Sequence, residues 1–365
     1  MNKPLLFISS SKGRQAWLSN TISALKASAY PIIIRSSSRR FRKNMRREHI
    51  YSKSFYLSSF PSWLGIFIVP CAWIFFGTVQ LFRILRFRPG AVILINWPEK
   101  IILTPFSSFF NTTVIWLEHP DPGAEVPGAL VRALYHRLAR KVKIVAFGNE
   151  LSEFWKTEHN HSQVSIVFPP SVPVNAKQHD LFKTMADHTD RSRFVVASVL
   201  YGLPKDQAER LLSAVSITQS VCPNIELVII GAGKNRQQIQ WLVRRMGLER
   251  RVWLAGPTDD FERWLNHLDT YIIATPRPTL DDASWAIAAM SAKLPVLAPK
   301  LSWLSDVITE KNGALIDVSD PETIARQLIN LQQNEELRAA LGKEAQKTAE
   351  RFSFVNFSDS IHKLF

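Results

Sequence analysis

His119 is the residue of the N-terminal half best suited to chemistry. It stands in Glu118-His119-Pro120-Asp121, directly after the apolar run Thr113–Leu117. An imidazole can donate, accept or carry a proton near neutral pH. A polar cluster just past a strand is also where open α/β sheets place ligands. A lone histidine at such a place more often has a structural role, so His119 needs support from elsewhere. In the C-terminal half, Gly231-Ala232-Gly233 follows the apolar run Glu226–Ile230 and precedes a helical pattern. Glycines there let the chain come close to a ligand, although a Gly-x-Gly by itself is more often a turn. Asp281 and Asp282 are adjacent, just ahead of a helical pattern starting near Ser284. They either supply a carboxylate to a ligand or cap that helix, as aspartates do. Because the two are contiguous there is no Asp-x-Asp metal pair, and no metal site is expected. The two cysteines, Cys71 and Cys222, can build neither a zinc site nor a disulfide framework, which suits a reducing compartment.

These groups need sheets to hold them. Apolar runs at Leu5–Ser9, Tyr30–Ile34, Ala91–Ile95, Thr113–Leu117, Lys143–Phe147 and Gln163–Phe168 alternate with helical patterns. A second series follows at Phe194–Ser198, Glu226–Ile230, Val252–Ala255, Thr270–Ile273, Leu294–Leu297 and Ala314–Asp317. Strands alternating with helices predict parallel sheets covered by helices. The 365 residues, 46% hydrophobic, suit two such domains. The expected boundaries are 1–170, a polar linker over 171–193 that follows Pro169-Pro170, 194–354, and a C-terminal helix over 355–365 that returns to the first domain.

Charge separates the halves. Residues 1–170 hold 22 Lys and Arg against 8 Asp and Glu, whereas residues 171–365 hold 23 of each, so the whole formal charge of +14 sits in the first half. That implies an anionic partner. Arg39, Arg40, Arg42, Lys43, Arg46 and Arg47 fall within nine residues, and Ser54–Phe82 then runs for 29 residues without a charge. That run includes Trp63 and Trp73. Aromatic, apolar chain bracketed by arginines is the pattern of a segment that enters a membrane interface. Its length would allow a span. Pro70, basic residues at both ends and apolar strands on either side favour a monotopic segment instead. The bland alternatives are a solvated basic loop and a buried helix pair. Met1-Asn2-Lys3 leads directly into Pro4–Ile8, too short for a secretory h-region, so the cytoplasmic face of the cell membrane is the expected location. No recognisable nucleic-acid motif is present.

The C-terminal half carries a more specific pattern. It comprises Leu227–Gly233, Gly247–Gly256, Ala289–Val296, Asn312–Ile316, Asp320-Pro321-Glu322 and Glu350–Ser353. In order and spacing this resembles the donor-binding domain of family-4 glycosyltransferases. Within residues 1–170 the resemblance is looser and rests on His119 and Phe147-Gly148-Asn149-Glu150; the apolar insertion resembles relatives that glycosylate lipid-linked acceptors. The resemblance implies a GT-B fold, two doubly wound Rossmann-like domains facing across a cleft. It implies transfer of a sugar from a nucleoside-diphosphate sugar to a membrane-held or polysaccharide-type acceptor, with retention and without a metal or other cofactor. It places His119 at the acceptor–donor junction, Lys205 and the helix start at Asp282–Ser284 on the diphosphate, and Gly231, Gly233 and Gly256 beside the donor. The family's two donor-site glutamates fall on Leu280 and Ala288, its loop glycines on Asp281 and Ala283, and its strand-end arginine on Ser198. A protein without those glutamates could instead be a binding or scaffold subunit of a glycan-synthesis complex.

Overall fold

Branched apolar runs form the central strands, and the complete burial of β-strands such as Leu5–Ser9, Ala91–Leu94 and Val296–Pro299 is what a sheet covered on both faces requires. A computed structural model of the chain describes residues 3–10, 16–27, 31–47, 49–54, 78, 82, 86, 88–106, 112–118, 128–157, 161, 164–167, 193–199, 204–231, 235–256, 262–353, 356–357 and 359–360. It divides into two units, Met1–Pro170 with Val355–Phe365, and Ser171–Phe354.

The first unit has strands β1 (Leu5–Ser9), β2 (Ile32–Ser36), β3 (Tyr51–Ser54), β4 (Ala91–Leu94), β5 (Thr113–Glu118), β6 (Lys143–Phe147) and β7 (Val164–Val167). All pair in parallel in the order β3-β2-β1-β4-β5-β6-β7. The order reverses between β1 and β4. Helices α1 (Ala16–Ala27), α2 (Arg39–Arg47), α3 (Trp97–Leu103), α4 (Ala129–Ala139) and α5 (Asn149–Thr157) link them. Trp116 and Trp155, both fully buried, fill the core beside Leu6, Ile8 and Val92.

The second unit has β8 (Phe194–Val199), β9 (Ile225–Ile230), β10 (Val252–Gly256), β11 (Thr270–Ile272), β12 (Val296–Pro299) and β13 (Gly313–Ile316), all parallel, in the order β10-β9-β8-β11-β12-β13. Here the reversal lies between β8 and β11. The helices are α6 (Lys205–Val221), α7 (Arg236–Arg245), α8 (Glu262–Leu265), α9 (Leu280–Ser291), α10 (Pro321–Gln333) and α11 (Glu335–Glu350). Asp320 caps α10, accepting from the amides of Glu322 and Thr323, with Pro321 at the first helical position.

Two expected boundaries and one alternative reading need correction. The strand predicted at Tyr30–Ile34 runs over Ile32–Ser36. The basic cluster is a helix, not a loop: Phe41 and Met45, four apart, pack inward, and Ile50 beyond the helix end is buried as well. The helix predicted from about Ser284 begins at Leu280. Trp63 and Trp73 lie outside the described residues. Among the described residues, no helix is long and apolar enough to cross a membrane.

Candidate functional site

In the second unit a recess of ≈ 10 Å³ opens where the strand order reverses. Its walls are Ser198 and Val199 at the end of β8, Tyr271–Thr275 at and beyond the end of β11, and Asp282 in the first turn of α9. Parallel strands put all their C-terminal ends on one edge. The crevice at a reversal is where such sheets hold ligands.

Local sequence fixes the start of α9. Thr279 is its N-cap, with extended backbone, and its hydroxyl accepts from the Asp282 amide at 3.4 Å. Asp282 Oδ2 reaches back to the Thr279 amide at 2.7 Å and hydroxyl at 2.8 Å, completing a capping box. The capping alternative for Asp282 is therefore the one the geometry realises, while the same side chain also faces the recess. Burial raises the Asp282 pKa, and its bonds to Thr279 offset part of that effect. Burial, and then the charge of Asp282, push the Tyr271 phenol well above its ordinary range. Two acids in the first turn suit the helix dipole, but they compete with any diphosphate at that terminus. Ser284 Oγ is buried and has no partner among the described residues. Ala283 is buried in the same helix, as are Leu280 and Ala288.

Gly231 and Gly256 fall on the same sheet edge. Gly231 follows β9 with φ 114°, a backbone state that side-chain-bearing residues rarely adopt. Gly256 ends β10, where the pairing register with β9 shifts. Gly233 lies outside the described residues. Lys205 opens α6 and is exposed, but its ammonium sits 5.7 Å from the Trp241 ring centroid, a ring that Arg245 also approaches at 5.3 Å. Lys205 is not among the residues lining the recess.

At the reversal in the first unit, α3 carries two buried charges. Glu99 Oε1 accepts from the Ser10 amide at 3.2 Å, the Asn96 amide at 2.7 Å and Asn96 Nδ2 at 2.9 Å. It thus ties the chain after β1 to the chain after β4. Glu99 Oε2 is buried with no partner among the described residues. Burial raises the Glu99 pKa, with those bonds opposing. Lys100 bonds to Leu117 O at 2.7 Å, Glu118 Oε1 at 2.8 Å and Tyr135 Oη at 3.3 Å. Tyr135 Oη donates to the Glu118 carboxylate, 2.8 Å from each oxygen. His119, the next residue, lies outside the described residues. Sequence reasoning missed both clusters. Asn96-x-x-Glu99 has the spacing of a capping box and was legible, whereas the partners of Lys100 lie 17, 18 and 35 positions away and leave no local signal.

On α2, Arg39, Lys43, Arg46 and Arg47 are exposed. Arg42 bonds to Ser36 O, and Arg46 to Ser52 O at 3.2 Å. Arg40 belongs to the same helix.

Two parallel-sheet Rossmann-like domains define the GT-B class. A crystal structure of Anabaena Alr3699/HepE in complex with UDP and glucose matches 100% of this chain and 99% of its own, with TM-score 0.79 and 16% identity. WaaG, a glycosyltransferase involved in lipopolysaccharide biosynthesis, matches 99% of both chains at TM-score 0.66 and 13% identity. At the sequence level, residues 183–348 match the family described as Glycosyl transferases group 1. The segment that matches this family model contains the recess. The D-inositol 3-phosphate glycosyltransferase of Corynebacterium jeikeium (strain K411) is 28% identical over 163 residues, covering 42% of this chain and 39% of the relative. The lipopolysaccharide core biosynthesis glycosyltransferase LpsE of Rhizobium meliloti (strain 1021) is 25% identical over 130 residues, 34% of this chain and 37% of the relative. The chain therefore aligns with well under half the length of either curated relative.

Proposed function

We propose that this protein is a glycosyltransferase taking a sugar from a nucleoside-diphosphate sugar to a membrane-held or polysaccharide-type acceptor. The observation that carries the reading is the match of residues 183–348 to group 1 glycosyltransferases, a segment in which the β8/β11 reversal lies beside the N-terminus of α9. Backbone amides at a helix start suit a diphosphate leaving group as its charge develops. UDP is the nucleotide to try first, because HepE was crystallised with UDP and with glucose. The reading includes retention of anomeric configuration, no metal or other cofactor, and His119 on the acceptor side.

The reading also places the first unit on the cytoplasmic face of a membrane, peripherally or monotopically. Four exposed cations on α2, together with Phe82 at 74% exposure and exposed Arg86, support it. Each basic side chain near anionic lipid adds about 1 kcal/mol.

A thermal-stability screen of nucleotide sugars tests the proposal, since a bound donor raises the unfolding temperature by mass action. UDP or a UDP-sugar should raise it. A second reading, a scaffold subunit without turnover, draws on one observation: Leu280 and Ala288 are apolar and buried, and Asp282 is engaged in its cap. No shift with any nucleotide at millimolar concentration would favour that reading.

A further inference from the structure

We infer that the outer face of α7, around Trp241, is a docking surface for an anionic lipid membrane, separate from the α2 surface of the first unit and independent of the transfer reaction. α7 turns Ile239, Leu242 and Val243 into the core, which is what its packing requires. Trp241 lies outside that stripe and is 52% exposed. Arg244 and Arg245 follow it by three and four residues, the spacing that puts side chains on one helix face. Both are exposed, and neither makes a salt bridge among the described residues. Arg245 and, from the start of α6, Lys205 approach the indole ring at 5.3 and 5.7 Å. Asp206, the acid next to Lys205, faces Arg210 at 3.9 Å instead.

Charge is concentrated here. Residues 236–251 hold five Arg and one Glu, a net charge of +4, although residues 171–365 as a whole hold equal numbers of cations and anions. α7 itself contains no acidic residue. The combination selects the partner. Cations alone suit any polyanion. A half-exposed indole set among them also calls for an apolar layer, and an amphipathic ring with an N–H is at home where headgroups meet acyl chains. An anionic bilayer surface presents both, phosphates for the arginines and the acyl boundary for the ring. An acidic polypeptide or polysaccharide chain offers the anions without that layer.

The test uses the full chain and vesicles of phosphatidylcholine with phosphatidylglycerol at low salt. It is run in a background carrying Arg39→Gln, Lys43→Gln and Arg47→Gln, which removes exposed charges of α2 from the first unit. That background should still bind. Adding Arg244→Gln and Arg245→Gln should weaken partition roughly 30-fold, at about fivefold per charge, and leave the unfolding temperature unchanged. Vesicles of phosphatidylcholine alone should show no such difference. Lipid brominated near the headgroup should quench the fluorescence of the native protein more than that of Trp241→Phe. Equal partition with and without the two arginines would overturn the inference, as would equal quenching in those two proteins. So would tighter binding of polyglutamate or an acidic polysaccharide than of vesicles, lost with the same two arginines. No binding by the background would also overturn it, while leaving the lipid contact of the first unit standing. Undiminished binding by the background, lost on changing Arg244 and Arg245, would sustain the α7 surface and remove the α2 contact instead.

Discussion

At the scale of single residues, the informative groups are buried acids. Glu99 has a raised pKa because burial disfavours its charge. A carboxyl raised in the folded state contributes stability that is fully present below its ordinary value of 4.5 and is lost as pH rises through the folded value. Glu99→Gln keeps an oxygen for the Ser10 and Asn96 donors and removes the ionisation. Its unfolding temperature should therefore gain on the native protein as pH rises from about 4 to about 7, and a gap independent of pH would contradict the assignment. Glu99→Ala, which orphans those donors, should lose about 1–3 kcal/mol in denaturant unfolding. Asp281 makes a different prediction. A negative side chain in the first turn of α9 opposes a diphosphate at the same terminus, so Asp281→Asn should tighten UDP binding about two- to fivefold by calorimetry. Weaker binding would mean that the carboxylate makes a favourable contact with the ligand.

At the scale of elements, α9 is held from both ends. Its start is fixed by the Thr279–Asp282 box. Just past its end, Lys293 has φ 62° and its carbonyl lies against Gly342 of α11, where an added Cβ would meet that oxygen at 2.1 Å. Gly342→Ala must therefore separate α11 from this turn and should cost about 1–3 kcal/mol, as overpacking does, measured by denaturant unfolding. The other element with a testable task is α2. Arg39, Lys43 and Arg47 are exposed and make no salt bridge among the described residues. Replacing all three by glutamine should leave stability unchanged. At about 1 kcal/mol per charge, it should cut partition onto anionic vesicles on the order of 100-fold at low salt, and leave zwitterionic vesicles unaffected. The boundaries of these elements were unevenly legible. Thr279-x-x-Asp282 is a readable helix-start signature, yet the helical pattern drew attention to Ser284 and placed the start four residues late. Strand β3, Tyr-Ser-Lys-Ser, gave no apolar signal because it lies at a sheet edge, where side chains need not be buried.

At the scale of the whole molecule, two units with separate cores should report ligands separately. UDP bound to the second unit stabilises that unit by mass action, about 2.7 kcal/mol at a hundred times its dissociation constant. In calorimetric unfolding, the transition assigned to residues 171–354 should rise with UDP while that of the first unit stays in place. A rise of both together would show that the units unfold as one.

The two-sheet α/β plan, the basic character of the first half and the resemblance of the second to group 1 glycosyltransferases were all legible before folding is considered. Each is written in local periodicity, composition or short spacing, which need no knowledge of what lies across the fold. That Asp282 both caps a helix and lines the recess, that Lys205 rests on Trp241, and that Lys100 meets Glu118 and Tyr135 emerges with the folded chain alone. Those facts depend on burial and on partners many residues away. A charge is worth placing in a protein interior only where another chain segment supplies its partner, and that pairing exists only after the sheet has closed around it.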